Sequence, residues 1–203
     1  MEKLNQIFDK LFEKVPGGVF GLLSVSIGIF IDIMGLSFPG YSIFTHSISS
    51  LGIGPVGLLF NIGLILCGIT AIPFEIYLGK SIRRDSVNDK VIKTTVAISI
   101  ISSLSLSLVG FFPINQENDI IIFFHGFFAA ISFIGGLIYM IIFSLFILKD
   151  QKFMKLQAYM GFTVCGFFVL YFCTLIPFTE WLAVISIIIW TIFISSYMLF
   201  KKI

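Results

Sequence analysis

Residues 120–148 read IIIFFHGFFAAISFIGGLIYMIIFSLFIL, an unbroken apolar run with one histidine and no Asp, Glu, Lys or Arg. A bilayer core takes about 20 helical residues to cross, so this stretch is a membrane span with residues to spare, and the excess implies tilt or projection beyond the bilayer. Five further runs share its character: 17–38, 57–79, 94–112, 157–176 and 181–200. The connections are short, so the chain reads as an all-α polytopic membrane protein, a single membrane domain over 1–203 with six transmembrane helices. Composition agrees, since 58% of the 203 residues are hydrophobic, 12% are charged and the mean hydropathy is +1.06. That leaves too little polar surface to cover a water-soluble globule.

The basic residues set the expected orientation. All thirteen Lys and Arg fall in alternate gaps between the runs: Lys3, Lys10 and Lys14; Lys80, Arg83, Arg84, Lys90 and Lys93; Lys149, Lys152 and Lys155; Lys201 and Lys202. Lys and Arg near span ends are retained in the cytoplasm during insertion, which predicts both termini inside. The same segregation makes the net charge of +2 a statement about anionic lipid head groups rather than nucleic acid. Residues 1–16 carry Glu2, Asp9 and Glu13 and lack the basic region and cleavage site of a signal peptide, so they read as retained. Their apolar side chains recur at helical spacing, predicting a short amphipathic helix over 2–15 at the inner interface. Cys67, Cys165 and Cys173 all lie within runs without CxxC spacing, which points to packing rather than to disulfides or a metal site. No cofactor is implied.

Polar residues inside the runs carry the functional expectations. The first span places Gly21, Ser24, Gly28, Asp32 and Gly35 on one small-residue face. The second aligns Asn61, Gly68 and Glu75, the third is rich in serine, and the fourth shows His125, Ala129, Ser132 and Gly136 as a stripe. The fifth and sixth look like packing or lipid-facing helices. Between the first two runs, Ser42, Thr45, His46, Ser49 and Ser50 recur at steps of three and four, predicting a second amphipathic helix over 42–51 at the outer interface. At about 1.5 Å per residue, Asp32, Asn61 and His125 lie about 6–9 Å below the outer surface, in one layer. His46, Ser49 and Ser50 are placed to cover that layer and Asn115 to reach it from the side. An ionisable group at membrane depth is costly and tends to line a wet cavity, which makes Asp32 the leading candidate. Glu75 lies near the inner end of its span, within reach of Lys80 or Arg83, and reads as a structural ion pair.

The segments THSISSLGIGPVGLLFNIGLILCGI at 45–69 and GFFPINQENDIIIFFHGFFAAISF at 110–133 resemble the signature regions of a prokaryotic six-span membrane family catalogued as domain of unknown function nine hundred and ninety-eight. Its His-x-x-Ser-x-Leu-Gly element falls on His46, Ser49 or Ser50, Leu51 and Gly52. Its Gly-x-Phe-Pro…His element falls on Gly110, Phe112, Pro113 and His125. The resemblance implies a multi-pass protein of a prokaryotic plasma membrane and brings no reaction with it.

The expected activity is binding or processing of a lipid head group or small polar molecule in an outward-facing polar cavity. Asp32, His46, Ser49, Ser50, Asn61, Asn115 and His125 are the ligand-binding set, and Asp32, His46, Ser49 and His125 the candidates for any acid–base or nucleophilic step. Two alternatives use the same residues: a haem held by His46 and His125 for electron transfer, or a proton-coupled small-molecule transporter with Asp32 and Glu75. Membrane lipids are the expected partners, and a homo-oligomer is compatible with the sequence.

Overall fold

The computed structural model describes the backbone of residues 2–82, 88–114 and 118–203, and side chains from residue 6 onward within them. A short helix, α1 (Glu2–Lys14), precedes the six spans: α2 (Gly17–Leu36), α3 (Gly57–Ser81), α4 (Asp89–Phe111), α5 (Asp119–Lys149), α6 (Lys155–Thr174) and α7 (Pro177–Lys201). All six are long and apolar enough to cross a bilayer. At 1.5 Å per residue, the 31-residue α5 is about 46 Å long and outruns the hydrocarbon core, as its sequence implies.

Each span packs against its neighbours in sequence, and α7 packs against α2, so the six close into a ring. Helix axes pack about 8–10 Å apart, and six in a ring therefore leave a central space about as wide as one more helix. Side chains fill only part of it. One apolar cluster, with Phe74, Leu78, Met140, Phe143, Trp190 and Ile194, closes the end near the lysines. A smaller one, Ile31, Ile48, Leu51, Phe60 and Trp181, closes the other.

The serines of α4 hold the ring's wall. Ser102 Oγ donates to the Ser132 carbonyl of α5 at 2.7 Å, and Ser107 Oγ donates to the Ile65 carbonyl of α3 at 3.0 Å. A hydroxyl in hydrocarbon must find an acceptor, and a second helix supplies one. This is why the serine-rich span lies between two neighbours, as its composition suggests.

The basic ends meet at one rim. Lys80 pairs with Asp9 of α1 at 2.6 Å, Lys152 Nζ donates to the Ser81 carbonyl at 3.2 Å, and Tyr77 OH donates to the Ile203 carbonyl at 2.6 Å. Phe12 of α1 meets Tyr77 edge to face at 4.9 Å, which seats the expected amino-terminal helix against α3.

Residues 42–51 depart from the expected α-helix. Gly40 takes φ +88, His46 N–H returns to the Ser42 carbonyl at 2.8 Å, and the chain then extends at Ser47 before a 3₁₀ helix, Ile48–Ile53. The break has a cause: the His46 carbonyl, which a continuing α-helix would pair with Ser50 N–H, accepts instead from Trp181 Nε1 at 3.1 Å, and Ser50 N–H turns to the Ser47 carbonyl at 3.1 Å, where Tyr41 OH also donates at 2.5 Å. The regular spacing of the polar residues is thus divided between two unconnected turns. Pairing of Glu75 with Lys80 is also corrected. Five residues on, Lys80 lies about 140° around α3 from Glu75, so it reaches Asp9 while Glu75 points inward; Arg83, the other expected partner, lies outside the described residues.

Candidate ligand-binding cavity

The space enclosed by the ring is a cavity of about 710 Å³. That lies within the range of small-molecule sites, about 300–1,000 Å³. Along α3 its lining runs from Phe60 to Leu78, about 27 Å at 1.5 Å per residue. It is therefore elongated and covers most of the depth of a bilayer core. Its wall is mainly aliphatic and aromatic, interrupted by Asp32, Glu75, Glu180 and His125, with serine hydroxyls between them.

Asp32 sits on the small-residue face of α2, is 8% exposed, and lines the cavity without a hydrogen-bond partner among the described residues. His125 is packed beneath the α4–α5 connection. Its Nδ1–H donates to the Phe112 carbonyl at 2.7 Å, leaving Nε2 as the ring's remaining polar atom. Glu75 is 3% exposed; Ser103 Oγ donates to its Oε1 at 2.6 Å, and Oε2 is buried without a hydrogen-bond partner among the described residues. Both Asp32 and Glu75 therefore face one interior space, at depths about 20 Å apart by helical rise.

Glu180, in the first turn of α7, was not apparent from the sequence as a site residue. Its carboxyl group lies beside the backbone N–H groups of Ile48 and Ser49, at the start of the 3₁₀ helix, and the residue is 5% exposed. The only sequence signal was an acid three residues after Pro177, which at a helix start reads as an ordinary complement to the helix dipole. Its presence also corrects the reading of the sixth span as chemically silent.

The expected site residues separate into groups. Asp32, Ser49 and His125 line the main cavity. His46 and Ser50 line a second hollow of about 340 Å³ with Pro39, Tyr41 and Pro55. His46 is exposed and stacks on Tyr41 at 5.0 Å. Burial pushes the Tyr41 phenol up, so it remains the protonated donor to Ser47 at neutral pH. The two imidazoles thus face different spaces, and the bis-histidine arrangement a haem would need is not formed. Asn61 lies in the cavity's cover rather than its wall, with Nδ2 donating to the Gly52 carbonyl at 2.9 Å. Asn115 lies outside the described residues.

A family model described as protein of unknown function (DUF998) matches residues 19–197. The chain belongs to the DUF998 family. The match covers all six spans of the ring and every cavity residue named above, whereas α1 precedes it. No curated protein and no solved structure matches the chain.

In this DUF998 chain the cover over the cavity depends on Glu180. Glu180→Leu is expected to remove the acceptor beside the Ile48 and Ser49 N–H groups, a cost of about 1–3 kcal/mol confined to the cover. Hydrogen–deuterium exchange checks it: the amides of residues 48–53 should exchange about 10-fold faster or more, those of the spans at the wild-type rate. Glu180→Gln, which keeps one acceptor oxygen, should fall between.

Proposed function

We propose that this DUF998 protein binds one amphipathic molecule, a lipid by its head group or a compact polar molecule with an apolar body, inside the ring of helices. The observation that carries this reading is the shape and chemistry of the cavity. It is long, mostly apolar, and polar at a few fixed positions, which suits a molecule with an apolar body and a small polar head. Asp32 and His125 would meet the head group, with Ser49 and Glu180 in the wall nearest the 3₁₀ helix. The clustering of basic residues at the opposite rim supports an arrangement in which that rim faces the cytoplasm and the covered end faces outward.

The reading stops at binding. Ser49 Oγ lies 3.1 Å from Ser47 Oγ, and no imidazole is placed to activate it. One observation favours a second reading, proton-coupled transport: Asp32 and Glu75 line the same cavity, with Ser102 and Ser103 beside Glu75. Two carboxyl groups at different depths of one cavity are the arrangement a proton-driven carrier requires.

Native mass spectrometry of the protein released from lipid nanodiscs tests the binding reading. Wild type should retain one amphiphile per chain through mild activation, and Ala129→Phe, which places a ring in the cavity from α5, should lose it while keeping the wild-type thermal midpoint. Equal retention by the filled variant would show that the amphiphile sits on the outside of the helices and would overturn the proposal. Uptake of protons by proteoliposomes on addition of substrate would favour transport over binding alone.

A further inference from the structure

Resting on that reading, we propose that the head group selected by the cavity is a cation, an ammonium group on an apolar body, and that Asp32 is its counter-ion. Among the described residues the lining holds three carboxyl groups, Asp32, Glu75 and Glu180, one imidazole, and no Lys or Arg. All described lysines lie outside it, on the basic rim or the tails.

The three acids are not equivalent. Glu180 lies beside the first N–H groups of the 3₁₀ helix, and Glu75 accepts from Ser103 with one oxygen. Asp32 has neither a donor nor a cation among the described residues, although it is more than nine-tenths buried and borders the empty space. A carboxyl group in that setting is either protonated or matched by a cation from elsewhere, since an isolated charge in low dielectric is costly.

The surroundings suit an ammonium rather than a metal ion. A hard metal ion needs several oxygen ligands converging at short range, and the described residues contain no cluster of three or more metal-binding side chains. An alkylammonium needs one carboxylate and a surface of aromatic faces. Phe60, Phe133, Tyr171 and Phe172 line the same cavity as Asp32. The aliphatic remainder of the wall receives the hydrocarbon part. An anionic head group would meet three acids and, among the described residues, no Lys or Arg, which is repulsive in the wild-type cavity.

The ammonium has two natural sources, the amine head group of a membrane lipid and a free lipophilic amine, and they are separated experimentally. The full chain in phosphatidylglycerol nanodiscs is titrated calorimetrically with decyltrimethylammonium, decyl maltoside and decyl sulfate, and the heats of empty nanodiscs are subtracted. The cation should bind about 10-fold tighter than the neutral amphiphile or better, with decyl sulfate weakest. In Asp32→Asn that preference should fall below about 3-fold through weaker binding of the cation, and Asp32→Glu should restore it.

Unchanged preference in Asp32→Asn, or equal binding of cation and neutral amphiphile, overturns the charge assignment and leaves the amphiphile-binding reading intact. Binding of none of the three overturns both. A parallel set of nanodiscs containing phosphatidylethanolamine identifies the source: retention of that lipid by wild type and not by Asp32→Asn in native mass spectra assigns the head group. Retention by neither, with decyltrimethylammonium still bound, assigns a free amine.

Discussion

Trp190→Ala is expected to destabilise the protein by about 3–5 kcal/mol, the range for removing a large buried aromatic side chain. The corresponding fall in thermal midpoint is about 10 °C for a chain of this size. Trp190 is 2% exposed, and its indole Nε1 donates to the Gln157 carbonyl at 2.9 Å, tying α7 to α6 in the half of the ring nearer the basic rim. Gln157 is itself fully buried and caps the start of α6, with Oε1 accepting from Met154 N–H at 3.0 Å. The indole also forms part of the cavity wall, so truncation enlarges a space that is already only partly filled. In a membrane the hydrophobic term between helices is small, and the loss is chiefly one of packing contacts. Trp190→Phe should retain most of that packing and lose the hydrogen bond, for about 1 kcal/mol. Thermal unfolding of the detergent-solubilised variants checks both; a midpoint for Trp190→Ala within 2–3 °C of wild type, which corresponds to about 1 kcal/mol, would show that the indole is not a structural anchor.

Gly68→Val should have an effect of similar size by the opposite route. A Cβ at Gly68 would collide with the Ser107 hydroxyl and with the Ser103 carbonyl of α4. The carbonyl belongs to a helix backbone and cannot turn aside, so α4 as a whole must move. Two hydrogen bonds cross that seam, Ser107 Oγ to the Ile65 carbonyl and Ser103 Oγ to Glu75 Oε1, and both would be stretched. Overpacking of this kind costs about 1–3 kcal/mol, and the lost bonds bring the expected total to about 3 kcal/mol or more. Gly28→Ala is the matched control. Its Cβ would meet only Cys67 Sγ, at an ordinary 3.6 Å, and should gain up to about 1 kcal/mol of helix propensity. A Gly68→Val protein as stable as the Gly28→Ala protein would sink the close α3–α4 approach. Neither glycine could be ranked from the sequence, where both belong to faces of small residues.

Much of the architecture was legible before the fold was known because lipid imposes simple rules. A segment such as 120–148 has one way to satisfy its backbone in hydrocarbon, and the structure contains that helix with boundaries shifted by one residue at each end. The serines of α4 were equally readable, since hydroxyl groups in a span need partners. The similar depth of Asp32 and His125 follows from counting residues along each helix, and both line the one cavity.

What counting could not supply was azimuth and partner. Residues 42–51 have helical periodicity, yet the His46 carbonyl that a continuing helix would use is taken by Trp181, 135 residues away. Glu75 lies close to Lys80 in sequence but on another side of α3, and its partner Ser103 comes from a different helix. The chain by itself determined six helices, their order and the segregation of charge to one rim, because those depend on local composition against a bilayer. Only the closing of α7 onto α2 decided that Asp32, Glu75, Glu180 and His125 share one enclosed space, because that depends on how six cylinders pack around a centre that none of them fills.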